Sequence, residues 1–208
     1  MRIRQEEDRK GWTHIDWELE GVTPKMLNWF WSNMDKAFFL WHPGQHTAFY
    51  WTIPPKHGQA LGAIHVAPQV WADGTKIEPH IRFEDVATLP QEIADIIVYD
   101  HAVIAVGICL KKEDYKPDNK PIAYRVHQWE KTDSGVKGIS TAIPVTDDPL
   151  ETERGLIWAE HASEEVGNWA NFLPELYKLY SVVNNTEVNP YFSFKVTREG
   201  KQLNYLEK

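Results

Sequence analysis

Hydrophobic and polar residues alternate along HIDWELEGV, residues 14–22, and this period of two predicts a β-strand. Thr23 and Pro24 follow in the order of an N-cap and a first-turn proline, so we expect a helix over residues 24–40. The Pro-Gly pair at residues 43–44 ends this helix, because a proline restricts the backbone of the residue before it.

From His46 to about Pro144 the pattern is strand-like, in about six segments that are separated by turn residues such as Asp73. A helical period then returns and predicts a long C-terminal helix that ends near Tyr180. Strands grouped together, with helices at the ends, are typical of an α+β fold. A curved antiparallel sheet that grips one long helix would enclose a cavity suited to a small ligand.

The long helix carries polar residues within its apolar stripe. At about 100° per residue, His161 and Glu165 fall on the same face as Trp158, Trp169 and Phe172. A carboxylate that is buried without a partner costs several kcal/mol, so Glu165 needs compensation. Two interpretations remain open at this point. One is an ion pair with protonated His161, and the other is a metal ion with further ligands elsewhere in the chain.

Further ligands are available before and within the predicted sheet. His42 and His46 flank the Pro-Gly pair and therefore do not form a helical pair. We expect His46, which opens a strand, to face the cavity, and His42 to cap or pack. On the predicted strand TKIEPHIRF, Glu78 and His80 share one face. Two histidines with two carboxylates suit a divalent metal of the zinc type.

Composition narrows the class of partner. The 208 residues are enough for one substantial core, so we treat residues 1–208 as a single domain. A net charge of −8 disfavours nucleic acid. The N-terminus has no apolar signal region and no segment has the apolar length of a membrane span, so we expect a cytoplasmic protein without a membrane partner. The ten Trp residues indicate a cavity or core lined by aromatic side chains. The single cysteine, Cys109, excludes an intramolecular disulfide. A homodimer is left open.

Two blocks of residues resemble the 2,4-diacetylphloroglucinol hydrolases, zinc-dependent enzymes that cleave a carbon–carbon bond. The block FFLWHPGQH, residues 38–46, is similar to the family's Tyr-x-x-Trp-His-Pro-x-x-His. The block HASEEVGNWANFLPELY, residues 161–177, is similar to its His-x-x-x-Glu followed by Phe-Leu-Pro-x-Leu-Tyr. The resemblance covers roughly residues 20–182, the length of a catalytic domain, while the strands between the two blocks diverge.

The resemblance implies a helix-grip fold, of the Bet v 1-like and START-like type, with a curved antiparallel sheet around the long C-terminal helix. It also implies a zinc ion held by two His and two Glu. Carried over residue by residue, the ligands are His46, His161 and Glu165, with Glu78 as the fourth ligand and Glu84 as the alternative.

The implied substrate is a small aromatic ketone, cleaved between an acyl group and the ring. The family has a tyrosine where this chain has Phe38 and an asparagine near Phe49, and both polar groups serve the substrate's hydroxyls. We therefore expect a less hydroxylated substrate here. The residues expected to bind its ring are Phe38, Trp41, Phe49, Trp158 and Trp169.

His127 is the candidate catalytic residue, and it would handle proton transfer to the ring; the alternative is an ordinary strand histidine. Zinc with an open position lowers the pKa of bound water towards neutrality, which suits attack on an acyl carbonyl. The sequence thus predicts a zinc-dependent carbon–carbon bond hydrolase. The competing prediction is a non-catalytic helix-grip protein that binds a small apolar or aromatic ligand.

Overall fold

The computed structural model describes residues 1–9, 11–56, 58–145, 149–183 and 190–206. The α-helices of these residues are α1 Pro24–Ser32, α2 Phe38–Trp41, α3 Gln91–Ala94 and α4 Pro149–Val183. None of them combines the length and the apolar character needed to cross a membrane. The strands of these residues are β1 Arg2–Gln5, β2 Thr13–Glu20, β3 Tyr50–Ile53, β4 Ile64–Val66, β5 Gln69–Val70, β6 Lys76–Ile77, β7 His80–Phe83, β8 His101–Cys109, β9 Ala123–Lys131, β10 Gly135–Pro144, β11 Val196–Glu199 and β12 Gln202–Tyr205.

One large antiparallel sheet dominates the structure. It contains eight strands in the order β1-β2-β10-β9-β8-β7-β4-β3. Irregular register between β7 and β8 and between β3 and β4 bends these strands, as bulges do. The long helix α4 packs on β2 and β10 from the inner side of the sheet. This is the helix-grip arrangement, and it confirms the predicted α+β class.

The predicted helix over residues 24–40 is interrupted. Thr23 caps α1 by accepting a hydrogen bond from the backbone N–H of Met26. At Asn33 the backbone leaves the helical region, with φ −134° and ψ 31°, and the side-chain amide donates to the carbonyl of Trp29 at 2.9 Å. A short turn follows before α2 begins at Phe38. The break redirects the chain, so that α1 and α2 pack separately against α4.

The strand predicted for TKIEPHIRF is also broken in two. β6 ends at Ile77 and pairs with β5 in a small hairpin, whereas β7 begins at His80 and joins the large sheet. Pro79, which has no N–H for a ladder, lies at the break. The alternation expected through Glu78 therefore does not continue from β6 into β7.

Small residues on the inner face of the sheet allow bulky ones to pack there. A Cβ atom at Gly138 would collide with the indole of Trp17 and the carbonyl oxygen of Gln128, so the indole lies directly over this glycine. The same indole meets Trp169 of α4 edge to face, with 5.9 Å between ring centroids. Gly138 thus fixes the height at which the helix rests on the sheet.

Replacing Gly138 by alanine should therefore force the Trp17 indole out of position and lower the free energy of unfolding by about 1–3 kcal/mol. Gly107→Ala on β8 is the matched control, since its nearest neighbour would be Ile122 Cγ1 at an ordinary 3.6 Å. Urea unfolding of both variants measures the difference. Equal stabilities would show that the close packing over Gly138 does not constrain the sheet.

Candidate metal centre and ligand cavity

Three potential metal ligands come together between α4 and the segment that follows α2. His161 and Glu165 lie one turn apart on α4, and His46 is held beside them by a backbone bridge to Gln69. All three candidate ligands are buried, with exposed fractions of 3–4%. Their possible ligand atoms lie within 4.8 Å of one another. The arrangement is compact enough for all three residues to contact one ion.

Both imidazoles are oriented by hydrogen bonds at Nδ1. His46 Nδ1 lies 2.8 Å from the carbonyl oxygen of Phe38, and His161 Nδ1 lies 2.8 Å from Oε1 of Gln45. Carbonyl oxygens only accept hydrogen bonds, so each Nδ1 carries a proton and donates it. In a neutral imidazole the other nitrogen, Nε2, then presents a lone pair.

These lone pairs converge on a carboxylate oxygen. Oε1 of Glu165 lies 3.0 Å from His46 Nε2 and 3.1 Å from His161 Nε2. Neither contact has hydrogen-bond geometry, and both nitrogens are buried without a hydrogen-bond partner. Two lone pairs and an anionic oxygen repel one another unless a cation lies between them. The residues therefore fit a divalent metal of the zinc type, with orienting hydrogen bonds behind each histidine ligand.

The charge of Glu165 agrees with this arrangement. Burial alone would raise the pKa of its carboxyl group, but positive charge at the positions of the adjacent His161 and His46 holds this pKa well below its usual range, so the carboxylate is favoured by a cation beside it. The carboxylate is therefore ionised at neutral pH, which is the form that ligates a metal.

Glu78, predicted as the fourth ligand, is not part of this cluster. It lies in the break between β6 and β7, and its carboxylate accepts a hydrogen bond of 2.6 Å from the hydroxyl of Tyr50. The alternative, Glu84, forms an ion pair with Arg82. Among the described residues, the metal-holding group thus consists of two His and one Glu, a set that leaves a coordination position open in catalytic zinc sites.

His42 lies beside the cluster rather than in it. Its ring stacks on His161, with centroids 4.5 Å apart and planes at 7°. Nε2 of His42 is 3.3 Å from the exposed carboxylate of Glu164. Burial, and then the neighbouring His161, lower the pKa of His42, so the ring is neutral at neutral pH. It therefore serves as a flat packing surface for the ligand His161.

A cavity of about 440 Å³ adjoins the cluster. His161 and Glu165 line it, and so do three of the residues predicted to bind a ring: Phe38, Trp41 and Trp158. The other two predicted residues pack behind the wall: Phe49 lies against Phe38, with ring centroids 4.9 Å apart, and Trp169 stacks on Trp41 at 5.6 Å. The volume is within the range of small-molecule sites.

Two neutral histidines line the same cavity. Burial lowers the pKa of His127, the predicted catalytic residue, to about 4. Burial, and then the proximity of His46, lower the pKa of His65 to about 3. The imidazole of His65 stacks on Phe49, with centroids 5.3 Å apart. Both rings are uncharged at neutral pH and offer polar atoms beside the aromatic residues of the wall.

Sequence reasoning missed His65 and Gln45. His65 gives no alternation signal, because Ile64 and Val66 on either side are also buried. Gln45 stands directly before His46, and only the tertiary structure brings its amide to His161, 116 residues later in the chain. The proximity of Gln45 to a candidate ligand in the sequence was its only signal.

No known family profile matches this chain, and no curated protein matches it in sequence. Solved structures match its fold. A crystal structure of a protein from Mycobacterium smegmatis aligns with a TM-score of 0.59 at 11% identity, over 83% of this chain and 96% of that one. A solution structure from Arthrobacter aurescens aligns at 0.55 and 11% identity, over 84% and 91% of the two chains. A crystal structure from Nitrosomonas europaea aligns at 0.51 and 15% identity, over 82% and 96%.

These likenesses support the helix-grip fold and carry no activity. The functional interpretation of His46, His161 and Glu165 therefore rests on the geometry of this site alone. In this class of fold, a cavity between sheet and helix could bind a ligand, and here a His-His-Glu group that could hold a metal ion borders that cavity.

Metal binding can be tested with Glu165→Gln and its neighbour Glu164→Gln. We expect metal-free wild-type protein to bind one zinc ion per chain in isothermal titration calorimetry. Glu165→Gln should bind zinc at least about 100-fold more weakly. Replacing even the outer hydrogen-bond partners of metal ligands lowers metal affinity by roughly 10–100-fold. Glu164→Gln should bind zinc with nearly the wild-type affinity, because the Glu164 side chain is 68% exposed and lies outside the cluster. Unchanged zinc binding by Glu165→Gln would contradict the assignment.

The low pKa of His127 has a measurable consequence for stability. The unfolded chain takes up a proton near pH 6.5, whereas the folded chain resists it until about pH 4. The unfolded state thus binds more protons in this window, and the folded state loses stability as the pH falls through it. In metal-free protein, the wild type should lose about 3 kcal/mol more than His127→Gln between these pH values. Parallel pH profiles from urea unfolding would show that His127 titrates normally.

Proposed function

We propose that this protein is a metal-dependent hydrolase that cleaves the carbon–carbon bond between an acyl group and an aromatic ring. The observation that carries the proposal is the convergence of two Nε2 lone pairs and the Glu165 carboxylate at the wall of an aromatic cavity. A protein that only held an apolar ligand would have no use for such a buried, mutually repelling group. The resemblance of residues 38–46 and 161–177 to the diacetylphloroglucinol hydrolases adds the reaction type.

His46, His161 and Glu165 would hold the metal, with Phe38 stacked face to face on His46 at 3.7 Å. When bound, a zinc ion at such a site supplies a Lewis acid and water of lowered pKa for acyl transfer. The chain's own contribution is to bind and orient the substrate. Trp41 and Trp158 line the cavity and offer apolar surface for its ring.

The expected substrate class follows from the polar groups that are missing at Phe38 and Phe49. Phe38 and Phe49 stand where the resembling family has hydroxyl and amide groups, and neither can donate a hydrogen bond. A phenolic hydroxyl buried against Phe38, which lines the cavity with Phe49 packed behind it, would lose about 1–3 kcal/mol. The preferred substrates are therefore acyl-aromatic ketones with fewer ring hydroxyls than diacetylphloroglucinol.

A non-catalytic binding protein is the competing function, and the two make different predictions about product. Zinc-loaded protein should release acetate from a monohydroxylated acetophenone faster than from diacetylphloroglucinol. Product is measured by chromatography. Glu165→Gln should abolish the release, while Glu164→Gln should retain it, since only the first removes a metal ligand.

Binding of the ketone without acetate release, at full zinc occupancy, would reject the hydrolase and leave the binding protein. Faster cleavage of diacetylphloroglucinol than of the less hydroxylated ketone would reject the proposed substrate preference but not the reaction. Acetate release that persists in Glu165→Gln would move the chemistry away from this site.

A further inference from the structure

Three buried side chains form a hydrogen-bonded series that ends at the cavity. Nε1 of Trp17 donates to Oγ of Ser140 at 3.0 Å, and the same Oγ lies 2.9 Å from Nδ1 of His127. The three residues are at most 4% exposed. Ser140 on β10 and His127 on β9 are direct cross-strand partners, so their side chains share the inner face of the sheet.

A count of hydrogens fixes the direction of this series. The indole nitrogen of Trp17 can only donate, so one lone pair of the Ser140 oxygen is occupied. Among the described residues, the hydroxyl has one other partner, Nδ1 of His127. If His127 donated from Nδ1, the buried Ser140 proton would have no acceptor, at the cost of an unmade hydrogen bond. The hydroxyl therefore donates, and Nδ1 accepts.

The opposite nitrogen of the ring then carries the proton. Nε2 of His127 has no hydrogen-bond partner among the described residues. It is also not one of the fully buried polar atoms that lack a partner, so it is accessible from the cavity that His127 lines. We infer that Ser140 is a positioning residue that holds His127 in the Nε2–H tautomer, so that the cavity presents a fixed N–H donor to an oxygen atom of the bound ligand.

This assignment specifies what His127 does. A neutral ring whose Nδ1 is occupied by Ser140 and whose Nε2 is already protonated has no free lone pair for a ligand, so it does not act as a general base. It selects ligands with a hydrogen-bond acceptor at that point, such as a ketone or phenolate oxygen. The low pKa of His127 agrees with a ring that stays neutral. The inference goes beyond the proposed hydrolase, because the donor would serve a bound ligand equally well in a binding protein.

The test is the tautomer of His127 in the full-length, metal-free protein at neutral pH. Long-range ¹H–¹⁵N correlation spectra distinguish a protonated ring nitrogen from an unprotonated one, and the His127→Gln spectrum assigns the signal by its disappearance. We expect the unprotonated shift at Nδ1 and the protonated shift at Nε2. The reverse pattern in the wild type would overturn the inference, whatever the variants do.

Ser140→Ala provides the second readout, with Thr141→Val as its control. Thr141 makes an equivalent contact, from its hydroxyl to Nδ1 of His14 at 2.9 Å, but its side chain projects from the opposite face of β10. Both variants remove a buried hydroxyl–imidazole bond, so both should lower the melting temperature. Only Ser140→Ala should shift the ¹⁵N resonances of His127 towards a mixture of tautomers. Retention of the single wild-type tautomer in folded Ser140→Ala would show that Ser140 does not set it.

Discussion

The repulsion among Nε2 of His46, Nε2 of His161 and the carboxylate of Glu165 is the constraint on which the site depends. Each histidine is turned towards the carboxylate by a carbonyl acceptor behind it, from the backbone of Phe38 in one case and from Gln45 in the other. The fold thus holds in place a group that would separate in a flexible chain. A cation relieves this repulsion, and the surrounding structure supplies the rigidity that keeps the ligands from moving apart.

Aromatic packing provides much of that rigidity. Trp41 lies between α1 and α4, with its ring 5.0 Å from Phe30, 5.4 Å from Trp31 and 5.6 Å from Trp169. These contacts tie the segment that carries His46 to the helix that carries the other two ligands. Trp31 and Trp41 also line the cavity, so the same rings both position the metal centre and form part of the cavity wall. Electrostatic interactions are stronger in such a buried site than in solvent.

The sheet contributes through positions that lack bulk. Gly138 leaves room for the Trp17 indole directly over β10, and from there the indole nitrogen reaches Ser140 and, through it, His127. The packing of α4 and the orientation of a polar group in the cavity therefore share one side chain. A single glycine on the inner face links the stability of the fold to the chemistry that the cavity presents.

The sequence by itself determined the elements whose signal is local. The alternation along residues 14–22 predicted β2, and the period of the long helix placed His161 and Glu165 one turn apart on its buried stripe, because these patterns depend only on near neighbours. Only the tertiary structure decided that Asn33 ends α1, that the predicted strand is interrupted at Pro79 and that Glu78 accepts a hydrogen bond from Tyr50. It alone decided that Gln45 supports His161, since contacts between residues far apart in the chain depend on how the sheet curves around the helix.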